Sequence, residues 1–64
     1  MPDHQDKREV YIEFVMQGGL VKATAIDSAT GIEASVFGPA TAPREALAHN
    51  AAAKLAYVLK KRGE

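Results

Sequence analysis

Few residues of this sequence combine the type and the spacing that catalysis requires. His4 and His49 are the two side chains whose ordinary pKa suits a general base near neutral pH. His4 lies in a polar N-terminal stretch, and Glu45 precedes His49 at a spacing that gives an ordinary surface pair on a helix. Ser28 and Ser35 have no evident base to activate a hydroxyl. We therefore assign no catalytic residue and expect a protein that is not an enzyme.

Metal, cofactor and small-molecule sites are not predicted either. The sequence contains no cysteine, which removes thiolate ligands and disulfides. The glycine pair at 18–19 and Gly31 lack the Gly-Lys-Ser/Thr continuation and the following helix of a phosphate-binding loop. Asp3, His4 and Asp6 could attract an ion, but their short polar stretch offers little preorganised geometry. We expect no cofactor, no metal and no small-molecule substrate.

Length and charge limit the remaining functions. Sixty-four residues form one small domain, which without disulfides needs very regular packing or a partner subunit. The formal net charge is zero, which weakly opposes a purely electrostatic partner such as a membrane or a nucleic acid. No apolar stretch is long enough to span a bilayer, and the N-terminus lacks the apolar core of a signal peptide. We expect a soluble, cytoplasmic protein that does not bind membranes.

Three predicted strands precede the C-terminal part of the chain. Residues 10–16, 20–27 and 32–37 alternate in polarity and are rich in strand-forming side chains. A glycine pair suits a tight hairpin after the first strand, Gly31 suits the second turn, and Gly38-Pro39 is expected to end the third strand. Connections this short predict an antiparallel meander. The predicted inward face carries Val10, Ile12, Phe14, Met16, Val21, Ala23, Ala25, Ile32, Ala34 and Val36.

The C-terminal part has the pattern of a helix. We expect this helix to begin near Thr41 or Ala42, with Pro43 in its first turn, and to stop at Gly63. On a helical wheel one arc is apolar and rich in small side chains. That arc consists of Leu47, Ala48, Ala51, Ala52, Leu55, Val58 and Leu59.

These elements combine into an α+β fold, a three-stranded antiparallel meander with one C-terminal helix packed on one face (β-β-β-α). Alanines of the middle strand and of the helix allow the two surfaces to approach closely. Larger side chains are expected to fill the flanks, namely Phe14, Leu47, Leu55 and Leu59. Residues 1–9 are polar and without periodicity, so we predict a disordered tail there and a single domain over residues 10–64.

The sheet face away from the helix is unusually apolar for a surface that water could reach. By alternation it carries five large apolar side chains, Tyr11, Val15, Leu20, Ile26 and Phe37. Such a face predicts an interaction surface, most simply for a symmetric homodimer, because a small unstapled domain gains core in this way. Two alternatives stay open: scattered surface residues without a partner, and a contact of another protein with the face or with a sheet edge.

The predicted helix also has a basic side. Lys54, Tyr57 and Lys61 follow the spacing i, i+3, i+7, so two cations flank an aromatic ring that could stack on a base. This pattern gives the alternative hypothesis of a weak nucleic-acid binder. A solvated helix face explains the same residues, since cations near a helix C-terminus are also favoured by the helix dipole.

The order β-β-β-α with a basic, alanine-rich last helix resembles the double-stranded RNA-binding domain over residues 10–62. The resemblance is most specific at the sequence NAAAKLA, residues 50–56. It implies a sheet covered by a helix and, in that family, phosphate contacts from basic residues just before the alanines. The chain also resembles short uncharacterised bacterial proteins.

The residues that bind RNA in that family are largely missing from this sequence. Its three basic positions fall here on Glu45, Ala46 and His49, of which only His49 can carry a positive charge. The family also uses a preceding helix and a longer first loop, where this chain has residues 1–9 and 17–19. The resemblance therefore implies the framework without the RNA-binding chemistry. We expect the partner to be the protein itself or another protein, with RNA as the alternative.

Overall fold

The computed structural model describes residues 8–63 as three strands followed by one helix. The elements are β1 (Val10–Gln17), β2 (Leu20–Asp27), β3 (Glu33–Pro39) and α1 (Arg44–Lys61). The strands form one antiparallel sheet in the order β1-β2-β3, and α1 packs on one face of it. The predicted fold class, a three-stranded meander with one C-terminal helix, is confirmed.

The two turns of the meander depend on glycine. Gln17 pairs with Leu20 across a two-residue turn in which Gly18 has φ 63°. Gly31, with φ 77°, closes the turn between β2 and β3. Positive φ values of this size are strained for residues with a Cβ, so these positions favour glycine. The hairpin register that follows places Phe14 opposite Ala23.

The third strand extends further than predicted, because Gly38 and Pro39 belong to it. Gly38 pairs with Val21, and a Cβ at Gly38 would lie 2.5 Å from a methyl group of Leu47. Glycine is therefore the residue that lets α1 approach the sheet at this point. Pro39 is tolerated because its nitrogen points away from β2, where no ladder hydrogen bond is lost.

The helix begins later than predicted, at Arg44 rather than at Thr41 or Ala42. Pro43 precedes the helix with an extended backbone, φ −61° and ψ 135°. The physical reason is steric, since a residue before proline is disfavoured in the helical region, which keeps Ala42 out of a helix. The predicted stop is confirmed: Gly63 has φ 81°, and its N–H donates to the carbonyl of Lys60 at 3.1 Å.

The core lies between α1 and the strands β2 and β3. Small side chains line the sheet side, as predicted, and leucines of the helix fill the space above them. The buried apolar residues are Val21, Ala23, Ala25, Ala34, Leu47, Ala51, Leu55 and Leu59. The predicted apolar arc of the helix therefore faces the sheet.

Strand β1 lies mostly outside this core, which corrects the expected role of Phe14. Phe14 shares the helix-facing side of the sheet but is 40% exposed, and its neighbours Val10 and Met16 are 44% and 57% exposed. A helix is about 10 Å across and strands lie about 4.8 Å apart, so one helix covers about two strands. The alanines of β2 and β3 allow the closest approach, and α1 lies there.

The first described residues continue the pairing of β1. The Arg8 Nε atom lies 3.0 Å from Asp27 Oδ1, and Glu9 N–H donates to Ser28 Oγ at 2.9 Å. The predicted disordered tail covers residues 1–9, of which 1–7 lie outside the described residues. Arg8 and Glu9, assigned to the tail by the sequence, contact the end of β2 and the following turn.

Candidate interaction surface

The five apolar residues predicted to form an interface all lie on the sheet face opposite α1. Three of them lie together at the β1–β2 hairpin end of this face, and we call them the outer patch: Val15 (43% exposed), Leu20 (47%) and Phe37 (57%). Val15 and Phe37 lie in one cross-strand row with Lys22 between them. The half-buried stem of Lys22 continues the apolar surface between its two neighbours.

The other two predicted interface residues lie at the far end of the same face. Tyr11 pairs with Ile26, and a polar row of Glu13, Thr24 and Ser35 separates this pair from the outer patch. Thr24 Oγ1 and Ser35 Oγ share a hydrogen bond of 2.8 Å, which satisfies both hydroxyl groups within that row. The predicted interface is therefore divided into a larger and a smaller apolar part.

Tyr11 is held by an acidic neighbour. Its hydroxyl donates a hydrogen bond to Glu9 Oε1 at 2.8 Å. This hydrogen bond and the negative charge of Glu9 raise the pKa of Tyr11 above its ordinary value, because both favour the protonated phenol. Tyr11 is thus a neutral donor near pH 7 with a defined orientation.

The apolar surface continues around β1 onto the helix side of the sheet. Phe14 and Met16 are exposed there beside the first turn of α1. The Arg44 guanidinium lies 5.7 Å from the centre of the Phe14 ring, and its Nη2 atom lies 3.6 Å from Met16 Sδ. The sequence signal for this uncovered strip was the contrast between large side chains on β1 and alanines on β2 and β3.

The outer edge of β1 carries backbone groups that have no partner strand among residues 8–63. Ser28 N–H donates to the Glu9 carbonyl at 2.9 Å, which makes Glu9 and Ser28 a hydrogen-bonded pair. In an antiparallel ladder such pairs recur every second residue, so the odd-numbered residues of β1 bond to β2. The outward N–H and C=O groups belong to Val10, Ile12, Phe14 and Met16.

The outer edge of β3 offers fewer free backbone groups at two positions, Ser35 and Pro39. Ala40 N–H donates to the Gly19 carbonyl at 2.9 Å, so the even-numbered residues of this segment bond to β2 and the odd-numbered ones point outward. Among the outward groups, the Ser35 carbonyl accepts a 2.8 Å hydrogen bond from Lys54 Nζ. Pro39 has no N–H to offer, so this edge presents fewer free backbone groups than β1.

The candidate nucleic-acid residues are only partly brought together. Lys61 Nζ lies 5.8 Å from the centre of the Tyr57 ring, at a cation–π distance. Lys54 points to the sheet edge, where it binds the Ser35 carbonyl. His49 is exposed on α1, and His4 lies outside the described residues.

The buried carboxylate of Asp27 was not singled out by sequence reasoning. Thr30 donates to its Oδ2 atom from both the backbone N–H (3.0 Å) and the hydroxyl (2.7 Å). Arg8 forms an ion pair with the Oδ1 atom, but the geometry of this contact is not that of a hydrogen bond. The spacing Asp-x-x-Thr-Gly was the available signal, since aspartate side chains commonly organise turns of this kind.

Residues 8–63 contain neither a clustered metal site nor a membrane-spanning helix. In this part of the chain no three His, Cys, Asp or Glu side chains are grouped so that they could hold a metal ion. Over the same residues, no helix is both long and apolar enough to cross a membrane.

The chain was compared with protein families, with curated proteins and with solved structures. Neither the curated proteins nor the solved structures contain a match. One family, described as a domain of unknown function (DUF6898), matches residues 7–62. This match spans all three strands and the helix, and the chain therefore belongs to the DUF6898 family.

Proposed function

We propose that this protein is a non-catalytic interaction module that binds another protein surface through its outer patch, in the simplest case a second copy of itself. The observation that carries this proposal is the clustering of the exposed residues Val15, Leu20 and Phe37 at one end of one sheet face. Single exposed apolar residues are ordinary on protein surfaces, whereas a contiguous cluster of large ones is typical of interaction sites.

The size of the domain supports self-association as the simplest form. The sequence has no cysteine and half of the buried core residues are alanines, so the fold has little apolar area to bury by itself. A symmetric contact between two outer patches would bury Phe37 and Val15 of both copies at once. Lys22 lies between Val15 and Phe37, so its aliphatic stem would be covered in this contact while its ammonium would have to extend to the rim to stay in water.

Sedimentation equilibrium at micromolar concentration tests the proposal. Phe37→Ser and Val15→Lys should each lower the wild-type mass, because they remove apolar area from the outer patch or place a charge in it. Tyr57→Ser is the matched control, since Tyr57 is 62% exposed, close to the 57% of Phe37, but lies on the helix. If Phe37→Ser and Val15→Lys keep the wild-type mass, the outer patch does not mediate self-association.

The alternative function is weak nucleic-acid binding by Lys54, Tyr57 and Lys61. Its support is the Tyr57–Lys61 contact, whereas Lys54 is engaged at the sheet edge. Nucleic-acid binding would weaken steeply as salt rises, and contact through the outer patch would change little. Anisotropy of a labelled RNA duplex, with and without neutralisation of Lys54 and Lys61, separates the two functions. Salt-sensitive binding that the double variant abolishes would favour the alternative.

A further inference from the structure

We propose that β1 pairs antiparallel with β1 of a second copy, so that two three-stranded sheets become one six-stranded sheet. This edge interface does not use the outer patch and does not depend on it. It joins the open edge defined by the outward backbone groups of Val10, Ile12, Phe14 and Met16.

The first support is the condition of the β1 edge. Natural edge strands are commonly protected by lysine, proline, a bulge or a covering helix. Strand β1 has the sequence VYIEFVMQ, which contains no proline or lysine and only one charged residue, Glu13. Its eight residues pair with β2 in an uninterrupted register, without a bulge. An edge of this kind is a template for another strand.

The second support is the side-chain pattern on both faces of β1. Val10, Phe14 and Met16 lie exposed on the helix side, because α1 covers the other two strands. Tyr11 and Val15 lie exposed on the outer face. Pairing with an identical strand would bury part of each of these side chains against an equally apolar surface. None of these five side chains is charged, so no charge among them would be buried.

Charge and strand position disfavour three registers with axes near the middle of β1. A two-fold axis at Glu13 would oppose the two Glu13 side chains, and an axis at Tyr11 would oppose Glu13 to Glu9 of the other copy. Like charges directly opposite each other are destabilising. An axis at Phe14 would bring Val10 opposite Gly18, in the hairpin turn, so the outward backbone groups of Val10 would meet no strand.

Among two-fold axes at residues 11–14, the axis at Ile12 avoids these conflicts. Ile12 then pairs with Ile12, and Val10 pairs with Phe14 of the other copy, an aromatic and β-branched combination that is favourable in sheets. On the outer face, Glu13 lies opposite Tyr11. Val10, Ile12 and Phe14 gain hydrogen-bonding partners on β1 of the other copy, and Met16 falls opposite Arg8, which precedes β1.

The same register brings opposite charges into line. Glu9 of one copy lies opposite Val15 of the other, and Val15 pairs in its own sheet with Lys22. The Glu9 and Lys22 backbones are then two strands apart, about 10 Å. Extended glutamate and lysine side chains can meet over Val15 at this spacing. The charge pattern of the outer face is therefore self-complementary for an axis at Ile12.

The edge of β3 explains why pairing would stop at two copies. A two-fold contact uses the same edge of both subunits and leaves the two β3 strands at the ends of the six-stranded sheet. At those ends Lys54 binds the Ser35 carbonyl, and Pro39 lacks an N–H. Association through this edge alone is closed by symmetry at two copies and does not continue into a fibre.

Disulfide formation between single introduced cysteines tests the register directly, because the natural sequence contains no cysteine. With the axis at Ile12, the two Cα atoms at position 12 are about 5.5 Å apart, within disulfide range. In the same register the two Cα atoms at position 13 are about 8 Å apart, and those at position 14 are about 14 Å apart. Both distances are beyond disulfide range. Ile12→Cys should therefore form a disulfide-linked dimer on mild oxidation, faster than Glu13→Cys, Phe14→Cys or the surface control Tyr57→Cys.

Proline variants test the edge without using oxidation. Val10 and Glu33 are the first residues of the two edge strands, and the N–H of each points away from β2. Val10→Pro should halve the wild-type mass in sedimentation equilibrium, because it removes two hydrogen bonds of the dimer and places a ring against the partner. Glu33→Pro, the same change on β3, should leave the mass unchanged. Circular dichroism confirms that both variants are folded.

The possible outcomes separate this inference from the proposed function. A wild-type monomer at micromolar concentration, or a folded Val10→Pro variant with the wild-type mass, overturns the edge dimer. Faster oxidation at position 13 or 14 than at position 12 overturns the register proposed here. If Phe37→Ser keeps the wild-type mass while Val10→Pro halves it, self-association through the outer patch fails and the edge dimer stands.

Discussion

The edge strands β1 and β3 pair with the same middle strand but differ in what covers them. On β3 the helix packs against the inner face, Lys54 binds the Ser35 carbonyl, and Pro39 withholds an N–H. On β1 the inner face is largely bare, and the outward backbone groups have no partner in residues 8–63. The difference shows how one helix, too narrow for three strands, divides a small sheet into a protected side and an available side.

The largest effect that sharpens this comparison is expected at Leu55, which is 1% exposed over β2 and β3. Leu55→Ala should lower the free energy of unfolding by about 2–5 kcal/mol, because it removes buried apolar area and leaves a cavity. Urea unfolding followed by circular dichroism measures the change. Phe14→Ala on the bare strand should cost clearly less, and equal losses would mean that β1 is as well packed as β3.

A second, smaller effect is expected at the closest contact between β3 and the helix. Gly38→Ala places a methyl group 2.5 Å from a Leu47 methyl, so the leucine must change rotamer or the helix must move. Overpacking of this kind should cost about 1–3 kcal/mol in the same unfolding experiment. Gly19→Ala is the control, since a Cβ there meets no atom within 4 Å. An unchanged stability of Gly38→Ala would show that Leu47 yields freely.

The protection of the β3 edge itself is expected to contribute modestly. Lys54→Met keeps the aliphatic stem but removes the hydrogen bond from Nζ to the Ser35 carbonyl. The loss should be about 1 kcal/mol or less, because the lysine is exposed and its charge is screened. Lys60→Met, on the last turn of α1, is the matched control. Equal stability of the two variants would mean that the Lys54 hydrogen bond does not stabilise the β3 edge.

The smallest effect concerns Tyr11, at the start of the available strand. Its pKa is raised by the hydrogen bond to Glu9 and by the Glu9 charge, so Glu9→Gln should lower it. Ultraviolet titration in a Tyr57→Phe background isolates this phenol. Because the folded pKa lies above the unfolded value, the related stability is present below pH 10 and is lost as pH rises through the folded pKa. No shift on Glu9→Gln would mean that this contact does not persist in solution.

Much of the fold followed from local patterns in the sequence. Alternation of polarity identified three strands, glycines marked both turns, and the apolar arc of the helix contained its four buried residues. The predicted interface residues also share one face, because side-chain direction in a strand depends only on register. Details that depend on close contacts were not predicted: Pro43 delays the helix start, and Gly38 with Pro39 extends β3.

The sequence by itself determined the elements, their order and the two faces of the sheet, because periodicity and turn chemistry act over a few residues. Tertiary structure decided which strands the helix covers, and with that the exposure of Phe14 and Met16 and the engagement of Lys54. This choice depends on the combined packing of alanines on two strands against one helix face. The physical reason is one of width, since a single helix can cover about two strands and the position of closest approach selects them.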